Sequence, residues 1–191
     1  MALRFSVPTC LLLVLLASGC AEPPNKEMDQ AQGAIDAARA AGADRYATSE
    51  YSAATEALQN ANTAVAASDH RLALSYALES REHAQNAARN STDAKARVRV
   101  EVDHASTELA ALIVEGRTLL DSAARGGVPR TGLEQPASDL AAAESRLQKA
   151  GEAVDMGDYL GASAALEGVR GHIEHAIAGI NDAHPARPSG R

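Results

Sequence analysis

The sequence predicts an all-α protein, and three observations support that fold class. Alanine, the strongest helix former, dominates the composition. Apolar residues recur at alternating spacings of three and four along most of the chain, which places them on one face of a helix. No Gly or Pro interrupts the sequence between Asp69 and Gly116. We therefore expect long helices that pack through small side chains.

The first twenty residues predict an export signal. Arg4 precedes an apolar run from Cys10 to Leu16, and small residues then lead to Cys20. The run is shorter than the about 20 apolar residues that cross a bilayer. Its order matches the charged region, the apolar region and the cleavage site of a secretory signal.

The end of this signal resembles the lipobox of bacterial lipoproteins. The segment reads Leu16-Ala17-Ser18-Gly19-Cys20, with Ala17 where that motif most often has Leu. The resemblance implies that residues 1–19 are removed and that Cys20 is acylated. Ala21, rather than Asp, after the cysteine implies the outer membrane, with the protein facing the periplasm. An ordinary signal peptide that ends near a cysteine is the alternative.

Three helices are predicted in the first half of the chain. Residues 20–25, with two prolines, form a tether to the first helix, which ends near Gly42. The second helix begins with Thr48 or Ser49 as its cap and ends at the turn Ser68-Asp69. The apolar faces of these two helices are Met28, Ala31, Ile35 and Ala38, and then Tyr51, Ala54, Leu58, Ala61 and Val65.

The third predicted helix runs from His70 to about Arg125, and the polar residues 90–92 could bend it. Its two stripes have heptad spacing. They are Ala73, Ala77, Ser80, Ala84 and Ala87, and then Val98, Val102, Ala105, Leu109, Leu112, Gly116, Leu119 and Ala123.

Two further helices complete the predicted fold. Residues 126–129 end the long helix, and Thr131 and Glu134 have the spacing of a capping box for the fourth helix. After a turn at Gly157-Asp158, the fifth helix continues to Ile180, and residues 183–191 form a disordered tail. The apolar faces are Leu140, Ala143, Leu147, Ala150 and Val154, and then Ala162, Leu166, Val169, Ile173, Ala176 and Ile180.

The two halves of the sequence match when one is shifted by 89 positions. Leu58-Gln59 falls on Leu147-Gln148, and Asp69, Arg81 and His83 fall on Asp158, Arg170 and His172. We interpret this as an internal duplication of a helical unit. The helices of each unit bury their apolar faces against one another. The prediction is two tandem three-helix repeats, 26–95 and 96–182, built as antiparallel hairpins that share the long central helix. This architecture resembles tetratricopeptide or spectrin-type repeats.

The first repeat also resembles a named bacterial family. The residues that carry the resemblance are Ala37, Ala38, Ala41, Gly42, Ala43, Tyr46 and Ala47, then Ala53, Leu58 and Ala61, and then Asp69, Ala73 and Ala77. They are similar to the Domain of Unknown Function 4398 family, over about residues 21–105. Members of that family typically follow lipoprotein signals. The resemblance implies a fold and a location, and it implies no activity.

The composition argues against several functions. A formal charge of −7 disfavours nucleic acid as a partner, because phosphates require a basic face. Small alanine side chains leave little room for a cofactor cavity, so we expect neither a cofactor nor an enzyme. The expected function is that of a lipid-anchored spacer or protein-interaction adaptor in the cell envelope, held at the membrane through Cys20 and in contact with an envelope protein.

Two groups of residues are candidate sites. His172 and His175 are three apart on one helix face and are weak candidates for a metal site, which supports an alternative function as a periplasmic metal- or ligand-binding sensor. Leu72, Leu74 and Leu78 lie off the main stripe of the long helix and form a candidate interaction surface. The alternative for these leucines is that they pack against the first helix.

Overall fold

The computed structural model describes residues 22–183, and these residues form seven helices and no strand, which confirms the all-α prediction. The helices are α1 (Asn25–Ala40), α2 (Ala43–Tyr46), α3 (Thr48–Ala66), α4 (His70–Arg125), α5 (Arg130–Asp155), α6 (Tyr159–Leu166) and α7 (Val169–Ala183). The predicted signal peptide 1–19, Cys20 and residues 184–191 of the predicted tail lie outside the described residues, whereas Ala183, predicted as the first tail residue, is the last residue of α7.

The chain divides into two compact units between Thr92 and Asp93. Unit 1 contains α1, α2, α3 and the first part of α4, whereas unit 2 contains the rest of α4 with α5, α6 and α7. Helix α4 continues through residues 90–92, where polar side chains could have bent it. The Ser91 hydroxyl donates to the Ala41 carbonyl at 2.8 Å, and the Thr92 hydroxyl donates to the Ala88 carbonyl at 3.1 Å. Both hydroxyls are satisfied while the helix stays intact.

The core of unit 1 consists almost entirely of alanine. The Ser80 hydroxyl of α4 donates to the Ala54 carbonyl of α3 at 2.7 Å, and such an approach to the backbone requires small side chains. Ser80 contacts Ala54, and the later residue His83 contacts the earlier residue Glu50. Helices α3 and α4 are therefore antiparallel. The buried residues of unit 1 include Ala31, Ile35, Ala38, Ala43, Ala54, Ala57, Ala61, Ala64, Ala73, Ala77, Ala84 and Ala87.

The core of unit 2 contains larger side chains. Leu140, Val169, Ile173 and Ile180 are almost completely buried. The predicted stripe of α4 from Val98 to Ala123 packs in this core, together with Ile113. Apolar burial of this kind is the main stabilising contribution in a fold without large polar networks.

The structure corrects the prediction of a single fifth helix. Residues 159–183 form α6 and α7 instead, with Glu167 extended and Gly168 at a φ of 74° between them. Glycine is the residue that adopts such a backbone most readily. The predicted stripe from Ala162 to Ile180 is nevertheless buried on both sides of this break.

The predicted N-terminal caps are also wrong. Helix α3 follows Ala47 and α5 follows Pro129, and neither helix start has a side-chain cap. Thr131 and Glu134 lie inside α5 and do not cap it. Pro129, whose ring fixes φ, precedes the first turn of this helix instead. The first helix was predicted to end near Gly42. Helix α1 ends at Ala40, and the short helix α2 follows Gly42.

The repeat predicted from the sequence has a counterpart in the burial of each unit. Residues related by the 89-position shift are buried in both units, although their sizes differ. The pairs are Ala73 and Ala162, Ala77 and Leu166, Ser80 and Val169, Ala84 and Ile173, Ala87 and Ala176, and Ser91 and Ile180. The two halves therefore match in position in the core as well as in residue identity.

The turns of the two units also correspond. Ser68 has a φ of 60° and Gly157, its equivalent, has a φ of 74°. The amides of Asp69 and Asp158 then donate to carbonyls five residues earlier, at 2.9 and 2.8 Å. This is the Schellman arrangement that ends a helix with one left-handed residue. In both units, the aspartate that follows accepts a hydrogen bond from the first turn of the next helix.

Candidate functional site

The three predicted surface leucines are exposed in the structure. Leu72, Leu74 and Leu78 have exposed fractions of 42%, 37% and 41%, so each leaves part of its side chain open to solvent. They lie in the first nine residues of α4, directly after the turn that connects α3 to α4. A group of exposed large apolar side chains is a feature of contact surfaces.

These leucines do not form a single patch. Consecutive helical residues differ by about 100°, so Leu72 and Leu74 point to opposite flanks of α4. Leu74 and Leu78 are four residues apart and share one flank. The predicted interaction surface is therefore divided, and Leu74 with Leu78 forms its larger part.

The histidines predicted as weak metal candidates are both on α7 and both exposed. His175 Nδ1 lies 3.5 Å from the Asp139 carboxylate of α5, and its side chain is 78% exposed. Within residues 22–183, no group of three or more His, Cys, Asp or Glu side chains is placed to hold a metal ion. The sensor function stays a prediction, and calorimetric titration of the protein with zinc and copper tests it.

His83, the equivalent of His172 in the repeat, has a different environment. Its Nδ1 lies 2.7 Å from the Glu50 carboxylate of α3, and its Nε2 lies 3.9 Å from Glu79 on its own helix. The contact with Glu50 joins α3 to α4 on one flank of α4. We assign it a role in holding unit 1 together.

A bidentate ion pair in unit 2 connects α4 with α5. The Arg117 guanidinium donates two hydrogen bonds to the Glu144 carboxylate, both at 2.7 Å. These hydrogen bonds lower the pKa of Glu144 and raise the pKa of Arg117, although partial burial acts against both shifts. Two parallel bonds between these groups fix the register of the helices as well as their charge contact.

Unit 2 has an open groove of about 550 Å³ between the end of α4 and the start of α5. Its lining is mainly apolar and includes three charged side chains. The lining residues are Leu120, Asp121, Ala124, Val128, Arg130, Leu133, Glu134 and Ala137. The shape of this groove is suited to side chains of a partner rather than to an enclosed small molecule.

Several apolar side chains are exposed at positions that the sequence did not indicate. Val100, Val114 and Met156 are 67%, 66% and 79% exposed, outside any predicted surface. Arg71, Arg81 and Arg89 also lie within about 80° of one another around α4, a local cluster of positive charge that the net charge of −7 does not reveal. The spacing of these three arginines in the sequence, ten and eight residues, would have predicted that they share one flank.

None of the helices in the described range has an apolar stretch of the length that crossing a membrane requires. Fold and surface together define an all-α protein whose helices pack through small residues in unit 1 and through larger apolar residues in unit 2, with exposed leucines at the start of α4.

Residues 26–102 match the model of the family described as Domain of unknown function (DUF4398), which confirms the predicted family resemblance over that segment. The match covers α1, α2, α3 and the first part of α4, and it is less than half of the chain. No curated protein and no solved structure matches the chain.

Proposed function

We propose that this protein is a lipid-anchored, non-catalytic component of the bacterial cell envelope that acts as a helical spacer or protein-interaction adaptor. In this proposal, the signal 1–19 is removed, Cys20 carries acyl chains in the outer membrane, and the helices face the periplasm. Two or more acyl chains anchor a protein stably, whereas a single chain gives only marginal binding.

The observation that carries the proposal is the short distance along the chain between Cys20 and the fold. Helix α1 begins at Asn25, five residues after Cys20. An extended chain spans about 3.3–3.6 Å per residue, so the start of α1 stays within about 18 Å of the acylated cysteine. Pro24 is already buried against the fold, which leaves little slack in the tether. Anchoring Cys20 therefore holds unit 1 at the membrane surface.

The adaptor part of the proposal is supported by the exposed apolar side chains. The groove lined by Leu120, Val128 and Leu133 gives a surface on which another molecule could bury apolar area, and Leu72 of α4 is a further exposed apolar side chain. Exposed apolar patches with polar rims are typical of protein–protein contacts. The partner we expect is an envelope protein.

Metabolic labelling with palmitate tests the anchor. We expect the wild-type protein to incorporate label and to be recovered with the membrane fraction. The Cys20→Ala variant should lose the label, because its acceptor thiol is absent.

Cys10→Ala is the matched control for this experiment, since Cys10 lies within the segment that processing removes. The control variant should be labelled as strongly as the wild type. Equal labelling of the Cys20→Ala variant, or no labelling of the wild type, would contradict the proposal.

A further inference from the structure

One flank of α4 in unit 1 combines cations with leucines. We define the arginine–leucine face as Arg71, Leu74, Leu78, Arg81, Gln85 and Arg89. Successive members are three or four residues apart, and at about 100° per residue such positions stay on one side of a helix. Five of the six side chains are exposed, Arg81 is half-buried, and none is acidic. Glu82 marks the outer edge of the face.

Helix α1 extends this face. Arg81 Nη1 donates to the Gln30 side-chain oxygen at 2.7 Å, whereas His83 pairs with Glu50 of α3, so α1 and α3 lie on opposite flanks of α4. Lys26 is four residues before Gln30 and shares its side of α1. The side formed by α1 and α4 therefore carries Lys26 in addition to the three arginines, with the carboxylates of Glu27 and Asp29 at about 60° and 100° from Gln30 around α1.

The face lies at the end of unit 1 where the tether joins the fold. Gln30 pairs with Arg81, and the Ala41 carbonyl accepts from Ser91, so α1 and α4 run in the same direction with an offset of about fifty residues. By this register, Asn25 is level with the part of α4 between Leu74 and Leu78. The short segment from Cys20 thus reaches the fold beside the two leucines.

We propose that the arginine–leucine face binds the headgroup region of an anionic phospholipid bilayer. Arginine and lysine attract anionic lipid, and leucines on the same side can enter the interface, as in other amphipathic helices that lie on membranes. The inference rests on the proposed function, because acylated Cys20 would hold this face near the bilayer at high effective concentration. The chain as a whole has a formal charge of −7, so repulsion of its remaining surface favours this orientation.

Vesicle sedimentation tests the face independently of the anchor. The protein used is residues 20–191 with Cys20→Ser, which retains every described residue and cannot be acylated at position 20. We expect it to bind vesicles that contain phosphatidylglycerol more tightly than vesicles of phosphatidylcholine alone. The difference should disappear near 1 M salt, where the Debye length is about 3 Å.

Two triple variants with the same change in net charge separate the face from general electrostatics. The face variant is Arg71→Glu, Arg81→Glu and Arg89→Glu, and the control is Arg97→Glu, Arg125→Glu and Arg130→Glu. One arginine near an anionic surface changes affinity about fivefold. We therefore expect the face variant to lose at least about tenfold in affinity for phosphatidylglycerol vesicles, and the control to lose less than about threefold.

A second variant examines the apolar part and keeps every charge. Leu74→Gln with Leu78→Gln should weaken vesicle binding severalfold, because these side chains no longer enter the interface. Circular dichroism verifies that each variant keeps its helix content, and Arg→Gln replacements serve where charge reversal unfolds unit 1.

Equal losses in the face and control variants would overturn the inference, as would equal binding of the wild type to both vesicle types. The second result is also the outcome expected if the partner of this face is an acidic protein surface. Because the assay protein lacks the Cys20 thiol, failure here leaves the anchor to be decided by palmitate labelling.

Discussion

Single residues show how similar backbones accommodate different side chains in the two units. Ser80 and Ser91 are completely buried, and their equivalents Val169 and Ile180 are also buried. The Ser80 hydroxyl donates to a carbonyl of α3 and the Ser91 hydroxyl to the carbonyl of Ala41 just after α1, which offsets the cost of burying a polar group. Unit 1 thus uses hydrogen bonds at positions where unit 2 uses apolar contact.

The Arg117–Glu144 pair predicts a pH-dependent contribution to stability. The arginine lowers the pKa of Glu144 below its ordinary value of 4.5 in the folded state. A carboxyl of this kind stabilises the fold above its unfolded pKa, and the contribution is lost as the pH falls through the folded pKa. We expect Glu144→Gln to lower the free energy of unfolding by about 0.5 kcal/mol at pH 7, since the pair is partly exposed.

Urea unfolding of the wild type and of Glu144→Gln at a series of pH values measures this effect. The difference between the two proteins should shrink as the pH decreases below 4.5. Glu174→Gln removes the same charge from an exposed position of α7 and serves as the control. A difference between wild type and Glu144→Gln that does not depend on pH would show that the ion pair has no role.

At the scale of helices and turns, the equivalent turns at Ser68 and Gly157 have the same backbone conformation but different residues. Ser68 and Gly157 both adopt left-handed backbone after a helix, and both turns have the same pair of hydrogen bonds. A residue with a Cβ is strained in this region, by about 1 kcal/mol, whereas glycine is not. The turn in unit 2 therefore has the residue that its backbone favours, and the turn in unit 1 does not.

We accordingly expect Ser68→Gly to stabilise the protein by about 0.5 kcal/mol, after allowance for the greater freedom of glycine in the unfolded chain. The midpoint of urea unfolding measures the change. Ser75→Gly, within α4, is the control and should destabilise by a similar amount, because glycine is unfavourable inside a helix. A loss of stability in both variants would contradict the role assigned to this turn.

Across the whole molecule, the two units differ in the apolar area that equivalent positions bury. Ala77, Ala84 and Ser91 in unit 1 correspond to Leu166, Ile173 and Ile180 in unit 2, and all six are buried. Each additional buried CH₂ contributes about 0.8 kcal/mol. Unit 2 therefore has the larger hydrophobic contribution.

Hydrogen exchange measured by mass spectrometry on the full protein tests this difference. We expect amides in the middle of α5 to exchange at least about tenfold more slowly than amides in the middle of α3. Ile173→Ala should reduce protection of α5, since loss of a buried isoleucine costs about 2–5 kcal/mol. Val114→Ala, at a residue that is 66% exposed, should leave it unchanged. Faster exchange in α5 than in α3 would refute this ranking.

The sequence by itself determined the fold class, the buried stripes and the long helix from His70 to Arg125. Each depends on local periodicity and alanine content, which are properties of adjacent residues. It also determined the family resemblance over residues 26–102 and the residues that correspond between the two halves.

Only the tertiary structure decided the break at Gly168, the absence of the predicted caps at Thr48 and Thr131, and the degree of exposure of the three leucines on α4. It also brought Lys26 beside the arginines of α4, more than forty residues away in the chain. These features depend on how helices pack and on which backbone each turn adopts. Residues distant in sequence decide both, so a local pattern does not contain them.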